Sequence, residues 1–199
     1  MAIDADTKLI VSYLVGTRDA ASAKEFIADC SSRVISRLQF TTDALRLYPD
    51  AVEEAFGSDI DYAQLQKIYG APSDEEQRRY SPGRVIGADM KTVTGNPDPA
   101  YVSTSYIERE NLSMRMMMRR YTRLTNAFSK KLENHANSVA LYVMYYNFCR
   151  VHQTLRVTPA MQAGLSTSIW DLEHLLVMIP KPVVRVNLVD REILRRALA

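Results

Sequence analysis

Residues 38–56 read LQFTTDALRLYPDAVEEAF, and the reading of this stretch decides the fold class. Leu38 to Thr42 is short, β-branched and aromatic, as a strand is. Asp43 stands at its C-terminal end. Apolar residues then recur at helical spacing, so a helix is expected from Ala44 to Phe56. Working toward the N-terminus, residues 8–15, KLIVSYLV, are long enough for one strand buried on both faces, and Gly16 ends it. Asp19 to Arg37 reads as a helix. Asp19 or Ser22 would cap it, and Ala23, Phe26, Ile27, Val34 and Leu38 would form its apolar face. Strand, helix, strand, helix is the order of a layered α/β domain.

Toward the C-terminus the pattern changes. Residues 70–99 hold four of the seven glycines and four of the eight prolines, so a long loop or insertion is expected, with at most a short strand over 84–88. YVSTS, from Tyr101, is strand-like. A long helix is expected from about Tyr106, and a second from about Leu132 to Val151. TLRVTPAMQAG breaks and turns. The segment from Ile169 onward mixes helical spacing with the strand pattern of KPVVRVNLV. The chain divides into a core over 1–165, carrying the insertion at 70–99, and a C-terminal extension over 166–199.

The 199 residues suit one domain with an appendage, and 47% hydrophobic content is ordinary for a globular chain. The net charge of +2 excludes a histone-like polycation and an acidic disordered tail. It conceals a separation. Residues 43–76 hold nine acids against Arg46 and Lys67, whereas residues 115–131 hold six bases and no acid. Cys30 and Cys149 lie far apart with no metal-ligand spacing, which favours reduced thiols. The N-terminal segment lacks a signal-peptide pattern, and no run reaches the roughly 18 apolar residues of a membrane span. A soluble, cytoplasmic protein is expected, with no membrane partner.

Two carboxylates are candidates for chemistry. Asp43, at the end of a core strand, stands where open α/β sheets place ligands, although a helix N-cap would use it equally well. Glu108 lies on the expected long helix. At about 100° per residue, Arg115 and Arg119 fall within roughly 20° of it, while Tyr106, Met114, Met117, Tyr121, Leu124 and Phe128 gather opposite. One face would bury apolar bulk, and the other would present a carboxylate followed by guanidinium groups. Such a row suits a phosphate backbone, and a solvated helix face gives the same pattern. His135 fits a buried helix edge, and Met116, Met117 and Met118 fit packing. No glycine-rich phosphate loop, zinc spacing or nucleophile elbow is present.

Four blocks resemble a known family in order and content. They are FTTDALRLY, FGSDIDYAQLQKIYG, STSYIERENLSMRMMMRRYTRLTNAFSKK and YYNFCRVHQTLRVTPAMQAG. Together they look like bacterial insertion-sequence transposases of the insertion-sequence-one type and relatives, which carry a DDE catalytic core. The resemblance runs from Ala2 to about Leu165. Its most specific piece is IERENLSMR through FSKK.

The resemblance implies a ribonuclease H-like fold and magnesium- or manganese-dependent cleavage and strand transfer of DNA, with transposon ends and target as partners and a homodimer expected. Asp43 matches the second acid of the triad and Glu108 the third, both as metal ligands. Arg109, Asn111, Arg115, Arg119, Arg120, Arg123, Lys130 and Lys131 fall in the DNA-binding block. In the family the first acid sits in an upstream Asp-Glu-x-Trp strand. Here Met1 falls at the start of the second strand and the one tryptophan is Trp170. The core is therefore expected to lack its first strand, leaving an open sheet edge or an unfilled centre. Asp4 and Asp6 belong to the neighbouring strand, where a turn role in Asp-Ala-Asp-Thr is expected. An inactive truncated chain that binds DNA or dimerises as a regulator is the alternative to an active transposase, and a decayed remnant is a further one.

Overall fold

The computed structural model describes residues 1–72, 83–122 and 124–178. The architecture is mixed α/β. Its described strands form two sheets. Strands β1 (Ala2–Ile3) and β2 (Ile10–Ser12) pair antiparallel. Strands β3 (Gln39–Asp43), β4 (Asp61–Tyr69) and β5 (Val85–Thr94) form the second sheet in that order, with β3 parallel to β4 and β4 antiparallel to β5.

The β1–β2 turn is written by Asp4. Its carboxylate accepts from the N–H groups of Asp6 at 3.3 Å and Thr7 at 3.2 Å, as expected for the Asp-Ala-Asp-Thr turn. Lys8 then takes a positive φ of 61°, so the KLIVSYLV run begins as a turn. The eight-residue strand expected there shrinks to Ile10–Ser12.

Helix α1 (Ala20–Ser32) is capped by Asp19, which accepts from Ser22 N–H at 2.8 Å. It stops five residues short of the expected Arg37. That arginine instead grips the start of β4, donating to Asp61 at 2.7 and 3.0 Å and to the Ser58 carbonyl at 2.9 Å. Helix α2 (Tyr48–Phe56) begins four residues later than expected, with Pro49 in its first turn. Ala23, Phe26, Ile27 and Cys30 of α1 pack with Ala51 and Val52 of α2 against Ile60 and Tyr62. The Thr42 and Tyr62 hydroxyls meet at 2.8 Å on that same buried sheet face. Both cysteines are free, and burial pushes the Cys30 thiol up, as for a core residue.

Residues 70–99 depart most from expectation. The described part of this stretch contributes β5, a ten-residue strand paired along β4. Gly95 ends it with a φ of 69°, at a point where a Cβ would collide with Asp61 and the Ile60 carbonyl. YVSTS is not a strand. Asp98 accepts from Ala100 N–H at 2.9 Å and starts a single 3₁₀ turn over Pro99–Tyr101.

Helix α3 (Ser105–Met117) begins as expected but ends early, and a 3₁₀ turn over Arg119–Tyr121 follows. A continuous helix would stack Arg115, Arg119 and Arg123 at four-residue spacing, where like charges repel. Met118 turns extended instead, so the projection that grouped Leu124 and Phe128 with Met114 ends there. Leu124 is 89% exposed and Phe128 61%. Helix α4 (Leu132–Met144) runs directly into a π-helical turn over Tyr145–Cys149, close to the expected 132–151. Short helices α5 (Pro159–Gln162) and α6 (Leu172–Met178) complete the described chain. Residues 179–199, with the KPVVRVNLV pattern, lie outside the described residues.

A second core joins Ile10 of β2 to Met114 of α3 and to Val139, Tyr142, Val143 and Tyr146. Asn147 holds it to the hairpin. Its side-chain carbonyl accepts from Ile10 N–H at 3.0 Å, and its amide donates to the Ile10 carbonyl at 3.0 Å, both buried. Asn147→Ala would strand two buried backbone groups and is expected to cost about 2–5 kcal/mol. Urea unfolding checks this, and a loss below about 1 kcal/mol would show that water satisfies Ile10 instead.

Candidate functional site

The site is built on the open end of the parallel strand pair. Register sets Asp43 of β3 beside Leu65 of β4. Side chains alternate along a strand, so Asp43, Leu65 and Lys67 share one face. Thr42, Tyr62 and Gln64 take the opposite face, toward α1 and α2. Lys67 lies two residues beyond Asp43's neighbour, about 7 Å further along β4. Its ammonium forms an ion pair with Glu108 in the first turn of α3. Thr104 donates its hydroxyl to the other Glu108 oxygen at 2.8 Å. Alternation thus puts Asp43 on the sheet face from which Lys67 reaches Glu108.

Asp43 is exposed, and its carboxylate accepts from Leu45 N–H at 3.2 Å. That is a turn contact, because the helix expected from Ala44 starts at Tyr48. The Asp43 carboxylate keeps an oxygen open to solvent. Glu108 already holds a cation. Among the described residues no group of three His, Cys, Asp or Glu side chains is placed to hold a metal ion. Two carboxylates, one neutralised by an ammonium, do not fit a two-magnesium centre, which needs a larger set of oxygen donors.

The basic residues cluster around the C-terminal end of α3. Arg109, Asn111 and Arg115 are exposed on that helix. Arg119 and Arg120 occupy the following 3₁₀ turn. Arg120 donates to the Ser129 hydroxyl at 2.8 Å and the Asn134 carbonyl at 3.3 Å, folding the turn onto the start of α4. Lys130 and Lys131, both exposed, follow Ser129 directly in the chain. Arg123 lies outside the described residues. The side chains of Arg109, Arg115, Arg119, Lys130 and Lys131 make no ion pair or hydrogen bond among the described residues. These charges are therefore open to an anionic partner. The row was expected on one helical face, and it forms instead on a helix end and a folded turn.

Sequence reading missed Glu110. It lies opposite Glu108 on α3 and is 3% exposed. Tyr142 donates its hydroxyl to it at 2.5 Å. The Tyr142 and Tyr146 rings stack at 6.1 Å, and Arg150 lies over Tyr146 at 5.6 Å. Its only signal in the sequence is the Glu-x-Glu spacing, which puts one acid on each side of a helix. His135 is half-buried and meets Tyr121 edge to face at 5.3 Å, in keeping with a helix-edge role.

Burial pushes the Glu110 carboxyl above its usual range, against the lowering pull of Tyr142, Tyr146 and Arg150. The native state therefore binds this proton more tightly than the unfolded chain does. The stabilising effect is complete below the unfolded value near 4.5 and is lost as pH climbs through the raised native value. Thermal unfolding between about pH 4 and pH 8 is expected to show Tm falling across that window. Glu110→Gln keeps an acceptor for Tyr142 and carries no titrating proton, so it is expected to flatten the profile. Parallel profiles for the two proteins would exclude Glu110 as the source.

No protein-family model, curated protein or solved structure matches this chain. No described helix is long and apolar enough to cross a membrane.

Proposed function

We propose that this chain is a DDE-type insertion-sequence transposase core that engages DNA through the basic surface around the end of α3. The observation that carries the reading is the arrangement of charge. Asp43 stands at the end of a parallel strand pair, Lys67 on the same sheet face holds Glu108, and the helix bearing Glu108 carries Arg109 and Arg115, whose side chains make no ion pair or hydrogen bond among the described residues. Phosphate contacts need that exposed positive charge, and the ends of strands are where α/β sheets hold substrates. A ribonuclease H-like core has one sheet, whereas the described strands fall into two. The part of that fold expectation the described strands carry is the mixed α/β architecture.

The metal state follows from the same geometry. Magnesium or manganese is the cofactor that transposase chemistry uses, and the described donors do not fit it while Lys67 holds Glu108. A third oxygen ligand and release of Lys67 would both be required. These two facts favour a second reading, in which the chain binds DNA as a regulator without cutting it.

Two measurements test the proposal. Binding to duplex DNA should weaken with salt, and Arg115→Ala with Arg119→Ala should reduce the slope of log K against log salt by roughly 1.8. An unchanged slope would remove these residues from the interface. Strand transfer on a transposon-end duplex with magnesium separates the two readings. Activity abolished by Asp43→Asn supports a catalytic core, and salt-dependent binding without strand transfer supports the regulator. Strand transfer that survives Asp43→Asn would reject the site assignment.

A further inference from the structure

The chain between the 3₁₀ turn over Arg119–Tyr121 and the start of α4 at Leu132 forms a loop with a closed neck. The Arg120 guanidinium ties the two sides of the neck together, donating to the Ser129 hydroxyl at 2.8 Å and to the Asn134 carbonyl at 3.3 Å. Tyr121 anchors the neck on α4. Its hydroxyl meets that of Ser138 at 2.6 Å, and its ring meets the His135 ring edge to face. Cations precede the loop and follow it in the chain, and the sequence from Arg115 to Lys131 holds no acid.

Two large apolar side chains, Leu124 and Phe128, stand exposed on this loop. Leu124 also takes a positive φ of 55°. A leucine is strained there, because its Cβ crowds the following carbonyl oxygen. Burial of the side chain could offset that cost, but Leu124 is 89% exposed. Strain held at an exposed residue points to function.

Apolar side chains framed by cations on an anchored loop match one recognition device. The cations hold phosphates while a leucine or phenylalanine enters between neighbouring base pairs and kinks the duplex. A base unstacked in this way has an aromatic face to lie on. A bilayer surface fits less well, since it takes up the continuous apolar face of an amphipathic helix. Here Thr125, Asn126 and Ala127 separate the two apolar side chains, and the loop is not helical.

We propose that this loop is a wedge that opens a base step in duplex DNA, with Leu124 inserted into the step and Phe128 stacked on a base that the opening exposes. The inference rests on the DNA reading above and adds to it a deformation of the DNA. Pyrimidine–purine steps unstack most readily, so TA steps are the preferred point of entry.

The test uses the full chain and a duplex that carries 2-aminopurine in place of adenine at its TA steps and a dye pair at its ends. At saturating protein the native chain is expected to raise 2-aminopurine fluorescence, as the bases unstack, and energy transfer, as the ends approach. Leu124→Asn removes the wedge and suits the left-handed backbone, and Phe128→Ala removes the ring. Both positions are exposed, so circular dichroism should match the native protein. Each variant is expected to cut the fluorescence rise at least about threefold. The salt slope of binding should stay unchanged, because every cation is retained. Native binding with no rise in either signal, or variants that keep the full rise, would overturn the wedge and leave the DNA reading standing. A native chain without salt-dependent DNA binding would reject both. Binding to vesicles of phosphatidylglycerol and phosphatidylcholine that both variants abolish, with no fluorescence rise on DNA, would assign the loop to a membrane surface and overturn the proposal.

Discussion

The paired hydrogen bonds between Asn147 and the Ile10 backbone are the constraint on which the described architecture depends. β2 is three residues long and has β1 on one side. Its other side carries an N–H and a carbonyl that must be satisfied once Ile10 is buried. A side-chain amide has the same donor and acceptor as a peptide group, so Asn147 serves as one residue of a missing neighbour strand. It reaches Ile10 from a π turn at Tyr145–Cys149, where the helix widens and Arg150 N–H bonds the Tyr145 carbonyl at 2.9 Å. Tyr146 and Asn147 are both buried and face the interior from that wider turn.

That attachment sets the position of α3. With Asn147 fixed, Tyr142 and Tyr146 occupy the space beside Ile10, and Met114 and Glu110 of α3 pack against them. Burying a carboxyl among tyrosine rings is costly without a donor, and the Tyr142 hydroxyl supplies one. Glu110 therefore fixes the rotation of α3 about its axis. Once Glu110 faces inward, Glu108 and Arg115 must face outward, on the sheet side where Lys67 stands. The candidate site is in this sense the outer surface of a buried polar contact.

The sequence disclosed the parts of this design that leave a periodic or local mark. Asp19 as a cap, Asp4 as a turn former, the β3 strand ending in Asp43 and the helix from Leu132 were all legible, because each rests on neighbouring residues. What it concealed depends on distant ones. β5 is exposed on both faces, so no alternation of apolar and polar residues marks it, and its glycine-rich surroundings suggest a loop. Arg37 looked helical, yet a carboxylate 24 residues away draws it out of α1. The arginines after α3 fit a helical wheel on paper. Their mutual repulsion, and the pull of Ser129 and Asn134 on Arg120, end the helix. Glu110 resembled any surface acid until Tyr142 was placed beside it.

Lys67 reconciles an acid with a basic surface. Glu108 projects from the same helix that carries Arg109 and Arg115, where an unpaired carboxylate would offset their positive charge. The chain brings in an ammonium from the otherwise acidic region of residues 43–76, on a neighbouring strand, and neutralises it. The surface that remains is positive, and its charge is exposed rather than spent on internal pairs. This fits the segregation visible in the composition. Acids hold the sheet and α2 in solvent, bases hold the end of α3, and the one lysine that crosses from the acidic segment to α3 does so at the carboxylate where the two regions meet.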